Sequence, residues 1–261
     1  MKLSEIMRSV GRIWARGPLR SRKHCVVCDQ SVGDFLSYSG GWSAVPLLIR
    51  ALDVVGSDPD HFECPRCGAH DRERHLLLYM KVTGLLDGLS GKDILHVAPE
   101  RHLAPAIAEA RPRTYLKGDL HPTAQDVKRI DLMAISCGAE SFDLVIANHV
   151  LEHVADDRVA VQEIFRVLRP GGHAILQTPF SAMLHHTWSD PGIDTDIGRL
   201  HAYGQEDHVR LFGRDIFARF AESGLVPCIA AHEDLLADFD AVRYGVNPRE
   251  PFFLLRRPFA A

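Results

Sequence analysis

The chain has 261 residues, 46% hydrophobic and 25% charged, which suits one large domain or one domain with a small accessory module. A formal charge of −4 excludes a polyanion binder that works through whole-molecule charge, and no run approaches the roughly 18 apolar residues that span a bilayer. The N-terminus lacks an apolar core followed by a small-residue cleavage site, so the expected location is cytoplasmic.

Charge is uneven. Residues 1–24 hold seven basic groups against Glu5, a local +6 that leaves −10 on the remainder, so a basic arm on an acidic body is expected, able to touch RNA or an anionic surface or to remain solvated. Leu3, Ile6, Met7, Val10 and Ile13 fall near one face of a short helix over 3–15, ended by Gly17 and Pro18. The six cysteines form two CxxC pairs and two singletons, which in a reducing compartment reads as metal binding before disulfides.

Cys25 and Cys28, then Cys64 and Cys67, each bracket a turn that lets two thiolates converge on one tetrahedral ion, with Gly68 free to take positive φ. All ligands would be protein groups, so a structural zinc is expected in a module over residues 25–70, with His24, His61 and His70 as substitute ligands. The 35 residues between the pairs exceed the gap of a zinc ribbon and must carry a turn and a helix or strands of their own. Cys137 and Cys228 read as core residues.

A second domain is expected over 71–261. Asp71 is positioned to cap a helix to about Leu86 with Leu78, Val82 and Leu85 on one stripe, and Gly88 and Gly91 break the chain before a buried strand at Asp93–Ala98. Thr114–Asp119 reads as the next strand. Phe142–Ala147 is an apolar, β-branched run without polar alternation, as in a parallel sheet buried on both faces. Asn148, His149, Glu152 and His153 follow at its C-terminal end, where an open α/β sheet places its ligand crevice. Asp156 or Asp157 then caps a helix whose stripe is Val161, Ile164, Phe165 and Leu168, ended by Pro170, Gly171 and Gly172, and His173–Thr178 is another buried strand. The irregular stretch 179–206 is long for a connection and lies beyond a strand's C-terminal edge, so it reads as a substrate-covering loop. His185, His186, Arg199, Tyr203, His208 and Arg210 supply cationic and aromatic groups for a polar or anionic acceptor. Gly213–Ser223 reads as an amphipathic helix, Leu225–Ala231 and Pro251–Arg256 as the last strands, and 233–250 as a loop.

The strings SFDLVIANHVLEHV and RVLRPGGHAIL resemble the fourth strand, helix and fifth strand of class I S-adenosylmethionine (SAM)-dependent methyltransferases of the type 11 kind. The resemblance implies an α/β, Rossmann-like seven-stranded sheet with an antiparallel end, preceded here by the small zinc-binding module. It departs from the family where the first strand ends: in place of an acidic residue followed by Gly-x-Gly the chain reads His96-Val97-Ala98-Pro99-Glu100, and Glu100 is expected to supply the charge that faces the cofactor's ammonium, with His96 accepting a hydrogen bond. By the same resemblance Asp119, with Leu120 beside it, bonds the ribose hydroxyls, Asp131 and Leu132 bracket the adenine, and Asn148 lines the cofactor crevice. His149 is the candidate base, expected as a neutral imidazole near pH 7, or a wall residue. The implied reaction is methyl transfer to an O or N acceptor on a small molecule or sugar-type substrate. Alternatives are an RNA methyltransferase held by the zinc module and basic arm, and a non-catalytic binding protein with an altered SAM loop.

Overall fold

The computed structural model describes residues 23–259; the basic arm and the helix expected over 3–15 lie almost wholly outside them. A hairpin of β1 (Lys23–Cys25) and β2 (Gln30–Val32) opens the described chain, followed by a 3-10 turn at Gly41–Ala44 and the short helix α1 (Leu47–Ala51). Helix α2 (Asp71–Val82) leads into β3 (Asp93–Val97), α3 (Ala104–Glu109), β4 (Thr114–Asp119), β5 (Val127–Arg129) and β6 (Phe142–Ala147). Then come α4 (Asp157–Val167), β7 (Leu168–Ile175), α5 (Asp196–Tyr203), α6 (Ile216–Ala221), β8 (Val226–Pro227), α7 (His232–Leu235), α8 (Ala241–Tyr244) and β9 (Leu254–Arg256).

Seven strands form one sheet in the order β5-β4-β3-β6-β7-β9-β8, parallel from β5 to β7 and antiparallel at β9 and β8. The chain leaves β3 towards β4 on one side and returns to β6 on the other, so the strand order reverses between β3 and β6. That reversal opens a crevice beyond their carboxyl ends. β6 shows why the run from Leu144 to Ala147 is apolar: Val145 and Ala147 face one core cluster with α4 and α6, while Leu144 and Ile146 face the other with α2 and α3.

Local chemistry sets the element ends. The Asp156 side chain caps α4, accepting from the amides of Arg158 (3.0 Å) and Val159 (3.1 Å), whereas Asp157 turns inward. After the helix the LRPGG string enters β7 directly, and a Cβ on Gly172 would lie 2.9 Å from the Arg169 carbonyl oxygen and 3.1 Å from that of Asp143. Only glycine lets the two backbones approach that closely.

Several expectations need correction. α2 ends at Val82 rather than Leu86, and His70, not Asp71, is its N-cap, with the His70 amide donating to Glu73 at 2.7 Å. Its stripe is also different: Val82 is exposed, while Leu76 to Met80 are all buried with Asp71, Glu73, Arg74 and His75. A helix enclosed between the sheet, the cysteine module and the C-terminal segment has no single solvent face. The last strands are shorter than read, and Cys228 is exposed.

The cysteine module is built into the rest of the molecule. Val55 pairs with Phe180, and Asn247 donates to the Gly56 carbonyl at 2.7 Å. Arg74 joins three segments, donating to the carbonyls of Ala69 (2.8 Å), Phe62 (3.2 Å), Tyr244 (3.0 Å) and Gly245 (2.6 Å) while stacking 3.9 Å from the Phe35 ring.

Candidate functional site

At the end of β3, Ala98 takes φ +47, the left-handed conformation that glycine ordinarily supplies, and its amide donates to the Gly118 carbonyl at 2.7 Å. The altered HVAPE string therefore keeps a glycine-type turn with a strained alanine in it. The turn aims Glu100 back over the strand. Its Oε2 lies 2.6 Å from Nε2 of His96, and its Oε1 accepts from the Asn148 amide across the crevice. Burial opposes the Glu100 charge, but these donors outweigh it and hold the carboxylate below its ordinary range.

His96 is fully buried and uses both ring nitrogens, the second toward the Tyr115 hydroxyl at 2.8 Å. It orients Glu100, and with Nε2 on that carboxylate its Nδ1 is left to accept from the Tyr115 hydroxyl.

On β4, Asp119 uses Oδ1 to accept the His121 amide at 2.7 Å, leaving its second oxygen without a partner among the described residues. It borders a cleft of about 540 Å³ lined also by Pro99, Tyr115 and Lys117. Leu120 beside it is exposed. Asp131 accepts the Met133 amide at 2.8 Å and closes a turn, while Leu132 is buried in the core.

His149 follows β6 at φ +55, its amide donating to the Gln177 carbonyl at 2.7 Å. Nδ1 lies 3.4 Å from Glu152 and Nε2 lies 3.4 Å from Glu250. Burial alone would favour the neutral ring, yet the two carboxylates win and raise its pKa to about 9. His149 is thus an imidazolium at neutral pH, a correction to the neutral base that was expected. Glu250 also receives His75 at 3.3 Å, and His75 meets His232 at 2.9 Å, so a buried chain of four titratable groups runs back from the crevice. Burial and the charge of His75 lower His232 to about 4.

Five buried side-chain atoms have no hydrogen-bond partner among the described residues: Asp71 Oδ1, Arg72 Nε, Asn148 Oδ1, His149 Nε2 and Glu250 Oε1. All belong to one neighbourhood, because Asp71 feels the charges of Glu250 and His149, and Glu100 that of Arg72. His149 Nε2 and Glu250 Oε1 face each other as an ion pair at 3.4 Å, so of these atoms it is Asn148 Oδ1, just after β6, that a polar ligand in the crevice would satisfy.

The cationic and aromatic residues of the long segment separate into two sets. Arg210 is buried and donates to the carbonyls of Leu151 (2.7 Å), Val154 and Ala155 (2.8 Å), with Asp157 at 3.4 Å. Tyr203 is buried, its hydroxyl accepting the Asp190 amide at 2.8 Å, and His208 is buried with Nδ1 on the Tyr203 carbonyl at 3.0 Å. These three hold the segment together, which the residue types alone did not reveal. Arg199 donates to the Ile193 carbonyl at 3.4 Å, the Arg214 guanidinium meets the ring nitrogens of His185, and His186 is largely exposed. Glu250 and Arg74 were missed for want of a local signal, since His75 and His149, the partners of Glu250, and Tyr244 and Gly245, two of those of Arg74, are more than a hundred residues away.

Cys25, Cys28, Cys64 and Cys67 converge, with one sulfur from each within 4.8 Å of the others and Cys25 Sγ 3.8 Å from Cys67 Sγ. Gly68 takes φ +85 and the Ala69 amide donates to Cys67 Sγ at 3.4 Å. Burial and the neighbouring charges of Cys25 and Cys64 push the Cys28 thiol up to about 12. Those repulsions are what a bound cation would remove. The substitute ligands are engaged elsewhere: His24 faces Asp29, His61 faces Asp58, and His70 stacks on Phe62.

The sheet order, the reversal point and the antiparallel end are those of the Rossmann-like class I methyltransferase fold. Residues 102–176 match the family model described as "Methyltransferase domain". A Mycolicibacterium smegmatis protein described as a probable S-adenosylmethionine-dependent methyltransferase is 34% identical over 76 residues, covering 29% of this chain and 28% of that protein. The chain therefore spans well under half the length of that relative. Among solved structures, an S-adenosylmethionine-dependent methyltransferase from Mesorhizobium loti is similar at 15% identity over 68% of this chain and 96% of that one, with a TM-score of 0.44. The YcgJ protein of Bacillus subtilis is similar at 16% identity over 72% of this chain and 100% of its own, also with a TM-score of 0.44. Among the described residues no helix is long and apolar enough to cross a membrane.

Proposed function

We propose that this chain is a SAM-dependent methyltransferase acting on an O or N atom of a small-molecule or sugar-type acceptor, with a structural zinc in its cysteine module. The observation that carries this reading is that Glu100, the free oxygen of Asp119 and the unpartnered Asn148 Oδ1 stand at the carboxyl ends of β3, β4 and β6, around the reversal point of the seven-stranded sheet.

SAM bound there would supply a methyl group already activated on a sulfonium. The protein's work is then mainly alignment and charge placement. Glu100, kept ionised by His96 and Asn148, is the anion for the cofactor's ammonium, and the free oxygen of Asp119 is the acceptor for ribose hydroxyls. Asp131 and Leu132 are assigned to the adenine side, Leu132 as a fixed apolar wall. His149, protonated between two glutamates, fits a positioning cation better than a proton acceptor. His185, His186 and Arg199 are the groups of the long segment left to meet an acceptor. In the cysteine module a zinc ion would be held by Cys25, Cys28, Cys64 and Cys67, with the Ala69 amide bonding one sulfur from outside.

Calorimetric titration of the Asp119→Ala variant tests the cofactor assignment. Losing a carboxylate that accepts ribose hydroxyls should weaken SAM at least about tenfold with little change in thermal stability. Unchanged affinity would remove Asp119 from the site.

A further inference from the structure

We propose that Glu152, His153 and His208 form a second metal site, distinct from the four cysteines, that takes a divalent first-row transition ion through two imidazoles and one carboxylate. One donor atom from each residue lies within 4.8 Å of the others. Bonds of about 2.1 Å place neighbouring ligands some 3–4 Å apart, so closing the site needs a movement of about an ångström.

The groups behind the three residues are those a metal centre requires. His208 Nδ1 faces the Tyr203 carbonyl at 3.0 Å, and a carbonyl only accepts, so Nδ1 carries the proton and Nε2 keeps its lone pair. His153 Nδ1 faces Asp207 at 3.2 Å, which fixes the same tautomer. The two rings meet edge to face with centroids 4.7 Å apart. A ring nitrogen held by a carbonyl or carboxylate behind the ligand is the usual outer support of a metal-bound histidine. Glu152 is held on the far side by the Thr178 hydroxyl at 2.7 Å, with His149 at 3.4 Å from the other oxygen, and retains lone pairs for an ion. The Val209 amide donates to the Glu152 carbonyl at 2.9 Å, so the backbone itself pins the His208 strand to the turn carrying Glu152 and His153.

Glu152 and His208 are buried while His153 is about a third exposed, so an ion would enter from the His153 side. Three protein ligands leave coordination positions open. This site deepens the proposed transferase reading in its role alone: an oxygen of the acceptor in an open position would have its pKa lowered, removing the need for a neutral histidine base. Metal binding itself does not depend on that reading.

The test is titration of the full chain, with its cysteine module left loaded and only loosely held metal dialysed away, with Mn(II), followed by electron paramagnetic resonance. Mn(II) prefers oxygen and imidazole donors to thiolates, so it separates this site from the cysteine cluster. The expected result is one Mn(II) per chain, bound at least about tenfold more weakly by His153→Gln and by His208→Gln. His153 is partly exposed and its variant should keep the parent's melting temperature, so a folding failure at His208 leaves the comparison intact. No bound Mn(II), or equal binding by His153→Gln and the parent, would overturn the site. Because no SAM is present, either result stands apart from the transferase reading.

Discussion

The two ends of the crevice teach opposite lessons. On the cofactor side, Asp119 and Asn148 retain polar atoms that no group among the described residues satisfies. On the acceptor side, the groups that look most like ligands are already occupied: Arg210 serves three carbonyls and Asp157, and Tyr203 fastens its own segment. The difference is spare hydrogen-bonding capacity, and residue type does not report it. A buried arginine that supplies every carbonyl of a turn is a structural tie, whereas a buried amide with an empty oxygen is a receptor.

The contrast can be broken by substitution. The largest effect is expected outside both ends, at Cys64→Ser, where loss of zinc should melt the module and the Arg74 contacts fastened to it; elemental analysis showing no zinc in the parent, or unchanged folding of the variant, would contradict the zinc assignment. Next comes Arg210→Met, which leaves three carbonyls and part of the Asp157 charge unanswered. A cost of about 3 kcal/mol, or roughly 6–12 °C in melting temperature for a chain of this size, is expected. If Arg210 were instead an acceptor ligand, stability would hold and acceptor affinity would fall.

A smaller effect is written in pH. The folded pKa of His232 is depressed to about 4 from an ordinary 6.5, so its contribution is fully present above pH 6.5 and is lost as pH falls through the window from 6.5 to 4. Denaturant unfolding should show about 1–3 kcal/mol lost across that window, and His232→Gln should flatten the slope there. An unaltered slope would show that His232 charges freely. The smallest effect is expected at His186→Ala: an exposed side chain with one distant carboxylate should change stability by under about 0.5 kcal/mol, so any larger consequence must appear in acceptor turnover.

Much of the sheet was legible because buried parallel strands leave a pattern that few other structures produce. The strand Phe142–Ala147 and a cap at Asp156 or Asp157 were readable from residues close in sequence, whereas Pro170, Gly171 and Gly172, read as the end of the helix, lie inside β7. What escaped depends on long-range packing. Glu250 lies in a stretch read only as a loop, and its meeting with His75 and His149 exists because β9 pairs with β7 beside β6. The protonated state of His149 follows from that meeting, so the imidazole could not be assigned correctly before the fold was known. The partner of His96 was hidden for a related reason: Tyr115, which meets its second nitrogen, is brought alongside by β3–β4 register.

The central claim is that the crevice between β3 and β6 binds SAM through Glu100 in a rewritten loop. Calorimetric titration of the full chain with SAM and S-adenosylhomocysteine, alongside Glu100→Gln, tests it most directly. The account predicts one site per chain for both ligands, with the uncharged variant weakened at least about tenfold. Absence of binding to either ligand, or equal affinity in the variant, would contradict it.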